Sequence, residues 1–163
     1  MDESDFLSRI LAVLKGAGIR YCVIGGQAVN AYVEPLVSLD LDLVVATDQL
    51  GDLEGHLAPP FQVQRHAHSL NASAPGSDLR VQFQTDPRYS AFFGRAEIRT
   101  VLGVDLPVAC LEDVLQGKVW AAQDPERRPS KRQKDLADIA RLLELRPDLR
   151  SHVPEQVQAR LLQ

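Results

Sequence analysis

Cysteine, positive charge and long apolar runs are all scarce in this sequence, and each scarcity excludes a class of protein. Two cysteines among 163 residues are too few for a disulfide framework, and no Cys-x-x-Cys pair marks a zinc site. The formal net charge of −4 argues against a general polyanion-binding protein. No apolar run approaches the roughly 20 residues of a membrane span. The acidic start of the chain is not typical of a signal peptide, so we expect a cytoplasmic protein without membrane association, with buried, reduced thiols at Cys22 and Cys110.

The order of the predicted elements indicates an α+β fold. A helical stripe over residues 4–15 precedes alternating strand and helix patterns, and the last third of the chain is helical. We therefore predict a two-layer α/β arrangement in which a helical portion, residues 111–163, packs on a mixed-sheet domain, residues 1–110, as one compact unit. Within the sheet domain, Thr47 is the predicted N-cap of a helix that runs to about Leu57.

Two aspartates lie inside an apolar strand pattern. In "SLDLDLVV", Asp40 and Asp42 alternate with leucines, so both carboxylates point to one face with Cα atoms roughly 6.5–7 Å apart. Such a pair can hold a hard divalent cation, and Mg²⁺ typically takes one or two carboxylates together with substrate phosphates. The alternative is the solvated edge of a half-exposed strand. We favour a Mg²⁺ or Mn²⁺ site because aspartate is depleted in strands and two are present.

A Gly-Gly pair, Gly25 and Gly26, separates a predicted strand from a predicted short helix fourteen residues before Asp40. Glycines in this position let backbone N–H groups approach a phosphate, and the helix N-terminus adds positive potential. The pair belongs to neither a GxGxxG motif nor a Walker loop. By itself it also fits an ordinary tight turn.

Gly-Gly, a short helix and Asp-x-Asp on the next strand resemble the nucleotidyltransferase superfamily, which has the polymerase-beta-like fold. The sequence is most similar to AbiEii-type and other minimal bacterial members, because "KVWAAQDPERRPSKRQKDLADIARLL" resembles their C-terminal helical motif. The resemblance spans about residues 19–143 and implies a nucleotidyltransferase-like mixed sheet with a C-terminal helical layer. It assigns catalytic roles to Asp40, Asp42, Lys118 and Asp135, metal binding to Asp40 and Asp42, and nucleotide binding to Gly25, Gly26 and Lys118.

The resemblance implies a protein that binds a nucleoside triphosphate with Mg²⁺ and transfers a nucleoside monophosphate to a hydroxyl of RNA or protein. This sequence departs from the family pattern at one acidic position, and that difference favours an alternative function. Active members usually carry a third carboxylate on a neighbouring strand, and the matching position in "LRVQFQTD" falls near Gln82, with Asp78 and Asp86 in predicted loops. The alternative is a catalytically degenerate nucleotide-binding module or one partner of a toxin–antitoxin pair.

The C-terminal helices leave several interpretations open. Lys118 lies within an apolar helical stripe, so its ammonium either snorkels to solvent or reaches into a cleft. Asp135 either serves catalysis or forms an i,i+4 ion pair with Lys131. The basic run "RRPSKRQK", residues 127–134, is suited to binding a triphosphate or an RNA backbone, and it equally fits a solvated loop and helix start. An RNA-binding adaptor would rest on this run alone.

Overall fold

A mixed sheet of seven strands runs through the computed structural model, which describes residues 3–59 and 61–161. The spatial order of the strands is β3-β4-β5-β2-β1-β7-β6. The strands are β1 (Tyr21–Ile24), β2 (Asp40–Val45), β3 (Gln62–His66), β4 (Ser69–Ser73), β5 (Arg80–Gln84), β6 (Glu97–Val101) and β7 (Val104–Val108). This sheet and its helices confirm the predicted α+β class.

The helices lie before, between and after the strands. They are α1 (Glu3–Gly16), α2 (Gly25–Tyr32), α3 (Leu50–Leu57), α4 (Phe92–Arg95), α5 (Leu111–Gln123), α6 (Pro129–Leu145) and α7 (Glu155–Gln158). Short 3-10 turns cover Pro87–Tyr89 and Pro147–His152. The patterns that predicted α5 and α6 match the observed helices closely. None of the helices in the described part of the chain has the length and apolar character required to cross a membrane.

The predicted start of α3 is wrong by two residues. Thr47 lies in a turn, and the helix begins at Leu50 with Gln49 in the N-cap position. The side chain of Gln49 accepts a hydrogen bond from the backbone N–H of Arg20 at 2.9 Å and donates one to the carbonyl of Gly18 at 3.1 Å. Those long-range bonds tie the turn to the segment before β1, which explains why the helix starts late.

Strand β2 is central to the sheet and carries the aspartate pair. It is antiparallel to β1 and parallel to β5, and Leu41 and Leu43 are fully buried while Asp40 and Asp42 are only partly covered. The alternation predicted from the sequence is therefore confirmed. In register across β5, Asp40 lies opposite Arg80 and Asp42 lies opposite Gln82.

One continuous apolar core joins the sheet to the C-terminal helices. Helix α2 contacts β1 and β2 and also α5 and α6, so it links the two portions of the chain. The division at residue 110 stays a prediction. Cys22 and Cys110 are free and buried, and burial raises the pKa of the Cys22 thiol to about 12 and that of Cys110 to about 11.

Candidate active site

The glycine turn lies directly against the second aspartate of β2. Gly25 has a φ of +72°, in the left-handed region that favours glycine, and it begins α2. A Cβ atom on Gly25 would lie 2.5 Å from Oδ2 of Asp42, which is too close for any side chain. Gly25 is therefore required both by its backbone conformation and by the position of the Asp42 carboxylate.

The carboxyl group of Asp42 lies in partly dry surroundings. Burial is the main cause that raises the pKa of its carboxyl group above the ordinary value, and the charge of Asp40 adds to the effect. The positive charges of Lys118, Arg127 and Lys131 act in the opposite direction. The carboxylate thus lies among cations contributed by the C-terminal helices and the connection between them.

Asp40 is more exposed than Asp42 and already has a protein partner. Its Oδ1 lies 2.8 Å from Nε of Arg80, and 44% of the Asp40 side chain is exposed. Both aspartates line a cleft of about 560 Å³ on the polar face of the sheet. Asp42 also lines a larger cleft, of about 1040 Å³, together with Gly25. The aspartate pair therefore lies where two clefts adjoin.

Lys118 opens onto the larger cleft, on the same side as Gly25 and Asp42, and not onto bulk solvent. Its side chain is only 7% exposed, and its Nζ lies 3.2 Å from Asp135 Oδ1 and 2.9 Å from Asp138 Oδ2. The cleft interpretation thus agrees with the structure, but two buried carboxylates share the ammonium. Asp138 was not among the predicted site residues, although its position three residues after Asp135 puts both acids on one face of α6.

Asp135 is fully buried and does not form the ion pair with Lys131 that the sequence allowed. It pairs with Lys118 and with Arg127, whose Nε and Nη2 both donate to its carboxylate. Asp138 pairs in addition with Arg141, which donates to the backbone carbonyl of Glu34 after α2. This network of two acids and three bases fixes α5, α6 and α2 relative to one another.

The basic run at the start of α6 faces the same turn. Nζ of Lys134 lies 3.5 Å from the position that a Cβ on Gly26 would occupy, and Lys131 lines the smaller cleft beside Asp40 and Asp42. Within the described part of the chain, neither lysine has a carboxylate at salt-bridge distance. The sequence pattern suited the run to binding a triphosphate, but it did not assign Lys131 or Lys134 to the site.

Comparison with solved structures adds to this geometry. The antibiotic-resistance factor ANT(2'')-Ia in complex with adenylyl-2''-tobramycin superposes with a TM-score of 0.65 at 16% identity, covering 96% of this chain and 97% of that one. An antigenic nucleotidyltransferase-like protein from Paracoccidioides brasiliensis gives 0.57 at 18% identity, with 92% and 82% covered. The lincomycin-bound lincosamide adenylyltransferase LnuA gives 0.55 at 9% identity, with 83% and 95% covered.

The chain has the nucleotidyltransferase fold. At these sequence identities the comparisons establish the fold alone, and any activity has to be argued from the residues of the site. No protein-family model and no curated protein matches the sequence. The closer likeness to AbiEii-type members stays a prediction.

The position at which the resemblance implies a third carboxylate is occupied by a different residue type. Gln82 lies directly opposite Asp42 on β5, so a neutral amide stands where the resemblance implies a carboxylate. Asp86 lines the larger cleft, but it caps a 3-10 turn and accepts hydrogen bonds from Arg88 through both oxygens. Among the described residues, no group of three His, Cys, Asp or Glu side chains is placed to hold a metal ion. Neither Asp86 nor the exposed Asp78 supplies the acid.

Proposed function

We propose that this protein is a nucleotidyltransferase that binds a nucleoside triphosphate with Mg²⁺ and transfers the nucleoside monophosphate to an acceptor hydroxyl. The observation that carries the proposal is the convergence of cations on the glycine turn. Lys118 and Arg127 line the larger cleft with Gly25 and Asp42, and Lys134 reaches Gly26. A triphosphate is a ligand that suits cations beside a glycine turn at a helix N-terminus, and among the described residues Lys134 has no carboxylate at salt-bridge distance.

The aspartate pair fits one divalent cation that arrives with the nucleotide. Mg²⁺ needs only one or two carboxylates when substrate phosphates complete its coordination. The pKa of Asp42 is raised mainly by burial, so its carboxylate form is disfavoured in the protein without ligand, and a bound cation would favour that form. The described residues do not fit a site for two ions, because Gln82 replaces the acid that would hold the second. A bound Mg²⁺ would neutralise phosphate charge during transfer.

The contribution of the chain to the reaction is positioning and charge neutralisation. The oxygen of the acceptor hydroxyl forms a bond to the α-phosphorus, while the bond from that phosphorus to the pyrophosphate oxygen breaks. Lys118, Arg127 and Lys134 would hold the β- and γ-phosphates that leave. The hydroxyl proton passes to solvent, because Gln82 has no carboxylate to accept it.

The proposal is tested with purified protein, each labelled nucleoside triphosphate, Mg²⁺ or Mn²⁺ and a panel of acceptors that includes total RNA. Label transfer with stoichiometric pyrophosphate release supports it. The double variant Asp40→Asn, Asp42→Asn is the control and should show neither. A wild-type protein that binds no nucleotide in the presence of Mg²⁺ would refute the proposal.

Two observations favour a second candidate, a nucleotide-binding module without turnover. Gln82 occupies the position of the third acid, and Arg80 neutralises Asp40. This candidate predicts that nucleotide and Mg²⁺ bind while no pyrophosphate forms. The suggested toxin–antitoxin partner and the RNA or protein acceptor stay predictions.

A further inference from the structure

The sheet face that carries Asp42 continues as a row of amides across three further strands. Asp42 of β2 pairs in register with Gln82 of β5, Gln82 with Asn71 of β4, and Asn71 with Gln64 of β3. Because directly paired residues project to the same face of a sheet, these side chains form one line from the proposed metal ligand to the sheet edge.

A second polar row runs beside the first. Asp40 pairs in register with Arg80, and Gln62 pairs with Ser73, whose hydroxyl donates to Gln62 Oε1 at 3.5 Å. The charges of Asp40 and Arg80 cancel in their salt bridge. The smaller cleft is lined by both rows, so it is a polar surface with little net charge.

Asn71, in the middle of this surface, has a hydrogen-bonding group without a partner. Its Oδ1 is buried and accepts no hydrogen bond from the residues that the structure describes, while its Nδ2 lies 3.4 Å from Nε2 of His66. A buried acceptor that stays unpaired destabilises a fold, so such a group calls for an explanation. Asn71 lines the smaller cleft, so a rotation of its amide group would turn this acceptor toward a hydroxyl donor bound there.

We infer that this amide face, formed by Gln62, Gln64, Asn71, Ser73 and Gln82, binds the acceptor, and that the acceptor is a small, uncharged, hydroxyl-rich compound such as a sugar or a cyclitol. An amide side chain both donates and accepts, which matches a hydroxyl group that does the same. The inference rests on the proposed function, because the position of Asp42 at the end of the row is what makes the face an acceptor site.

The charges around the smaller cleft argue against the other acceptor classes. A nucleic-acid strand is held mainly by cations along its backbone. Here Arg80 is paired with Asp40, which leaves Lys131 as the uncommitted cation among the described residues that line the cleft. A polycationic acceptor would meet Arg80 and Lys131 without an excess of carboxylates.

The two clefts adjoin at Asp42 and Gln82, which line both of them. The larger cleft contains the glycine turn and the cations that suit a triphosphate. A compound on the amide face would therefore present a hydroxyl to the α-phosphate of a nucleotide in the larger cleft. This placement puts donor and acceptor on opposite sides of the aspartate pair.

The test is a titration of ¹⁵N-labelled full-length protein, followed through the side-chain NH₂ signals of Gln64, Asn71 and Gln82. The probes are a panel of neutral sugars and cyclitols, the polycation tobramycin, and a short oligoadenylate. We expect a saturable shift of these signals with a neutral compound. Gln64→Ala should weaken that binding about tenfold, the loss expected when two hydrogen bonds to a hydroxyl disappear. The control Gln156→Ala removes an exposed amide of α7 outside both clefts and should bind as the wild type does.

Three results would overturn the inference: no shift with any neutral compound of the panel, a shift with tobramycin or oligoadenylate instead, or unchanged binding in Gln64→Ala. Calorimetric titration of the same protein with nucleoside triphosphate and Mg²⁺ separates this inference from the proposed function. Nucleotide binding without sugar binding overturns the acceptor inference alone. Failure to bind any nucleotide overturns both.

Discussion

At the scale of single residues, Gly25 and Asp42 form the most constrained contact of the site. Two separate causes exclude a side chain at residue 25, the positive φ and the Asp42 oxygen that a Cβ would meet at 2.5 Å. Gly103, in the turn between β6 and β7, isolates the first cause, because its φ is +80° and a Cβ there would meet nothing within 4 Å.

We expect Gly103→Ala to lower the free energy of unfolding by about 1 kcal/mol, the strain of a left-handed alanine. Gly25→Ala should lower it by more, roughly 2–4 kcal/mol, and should also weaken nucleotide binding because the Asp42 carboxylate must move. Urea unfolding and calorimetric titration measure the two effects. Equal losses of stability in the two variants would show that the Asp42 side chain moves away from a Cβ at residue 25 at little cost in free energy.

Asp42 itself is predicted to lower the stability of the protein without ligand. Its pKa is raised in the folded state by burial, so the folded protein holds the proton more tightly than the unfolded chain does. The stabilisation linked to that proton is complete at low pH and is lost as the pH rises through the folded pKa. The carboxyl group is therefore unfavourable for stability at neutral pH.

Asp42→Asn should accordingly raise the Tm at neutral pH, and this gain should shrink as the pH falls through a value above 3.8, where the wild type becomes protonated. The same variant should lose Mg²⁺-dependent nucleotide binding. Thermal unfolding across a pH series checks the sign. Asp78→Asn, at an exposed loop acid outside both clefts, is the control and should change neither property. A lower Tm for Asp42→Asn at neutral pH would contradict the argument.

At the scale of elements, α5 and α6 are joined by a buried ion network. Lys118 of α5 contacts Asp135 and Asp138 of α6. Arg127 also pairs with Asp135, and Arg141 also pairs with Asp138. The sequence pattern alone favours a lysine headgroup that contributes little to the core. The observed network changes that expectation, because removal of Lys118 leaves two buried carboxylates short of a cation.

Lys118→Met should therefore destabilise the protein by about 3–5 kcal/mol, the usual loss when one partner of a buried pair is removed. Lys134→Ala should change stability by less than about 0.5 kcal/mol, because the residue is exposed. It should still weaken nucleotide binding roughly tenfold through the lost phosphate contact. Lys15→Ala, at an exposed lysine of α1, is the matched control and should do neither. Unchanged nucleotide affinity in Lys134→Ala would remove the basic run from the site.

Sequence alone predicts the local strand and helix patterns of this protein, but not the contacts between residues that are distant in the chain. The alternation around Asp40 and Asp42 and the stripes of α5 and α6 are set by neighbouring residues, so they were predicted correctly. The late start of α3 depends on bonds from Gln49 to residues about thirty positions away. The salt bridge between Asp40 and Arg80 depends on a parallel strand register that no local pattern encodes.

At the scale of the whole molecule, the glycine turn and aspartates come from the sheet, whereas the cations come from the C-terminal helices and their connection. A nucleotide that bridges them would bind the folded protein and not the unfolded chain. The site would therefore couple nucleotide binding to the packing of α5 and α6 on α2. This coupling gives a measurement that separates an enzyme from a module that only binds.

Nucleoside triphosphate with Mg²⁺ at a hundredfold excess over its Kd should stabilise the protein by about 2.7 kcal/mol. For a chain of this length that is a rise in Tm of roughly 5–11 °C. The triphosphate without the metal should give a smaller rise, because no metal ion then lies between the Asp42 carboxylate and the phosphates. Differential scanning fluorimetry measures the rise, and a pyrophosphate assay on the same samples with an acceptor present measures turnover. A rise with pyrophosphate release supports the transferase, whereas a rise without release supports the module in which Gln82 has replaced the acid. No rise with any of the four ribonucleotides would contradict nucleotide binding itself, since the cations of the C-terminal helices would then serve the fold alone.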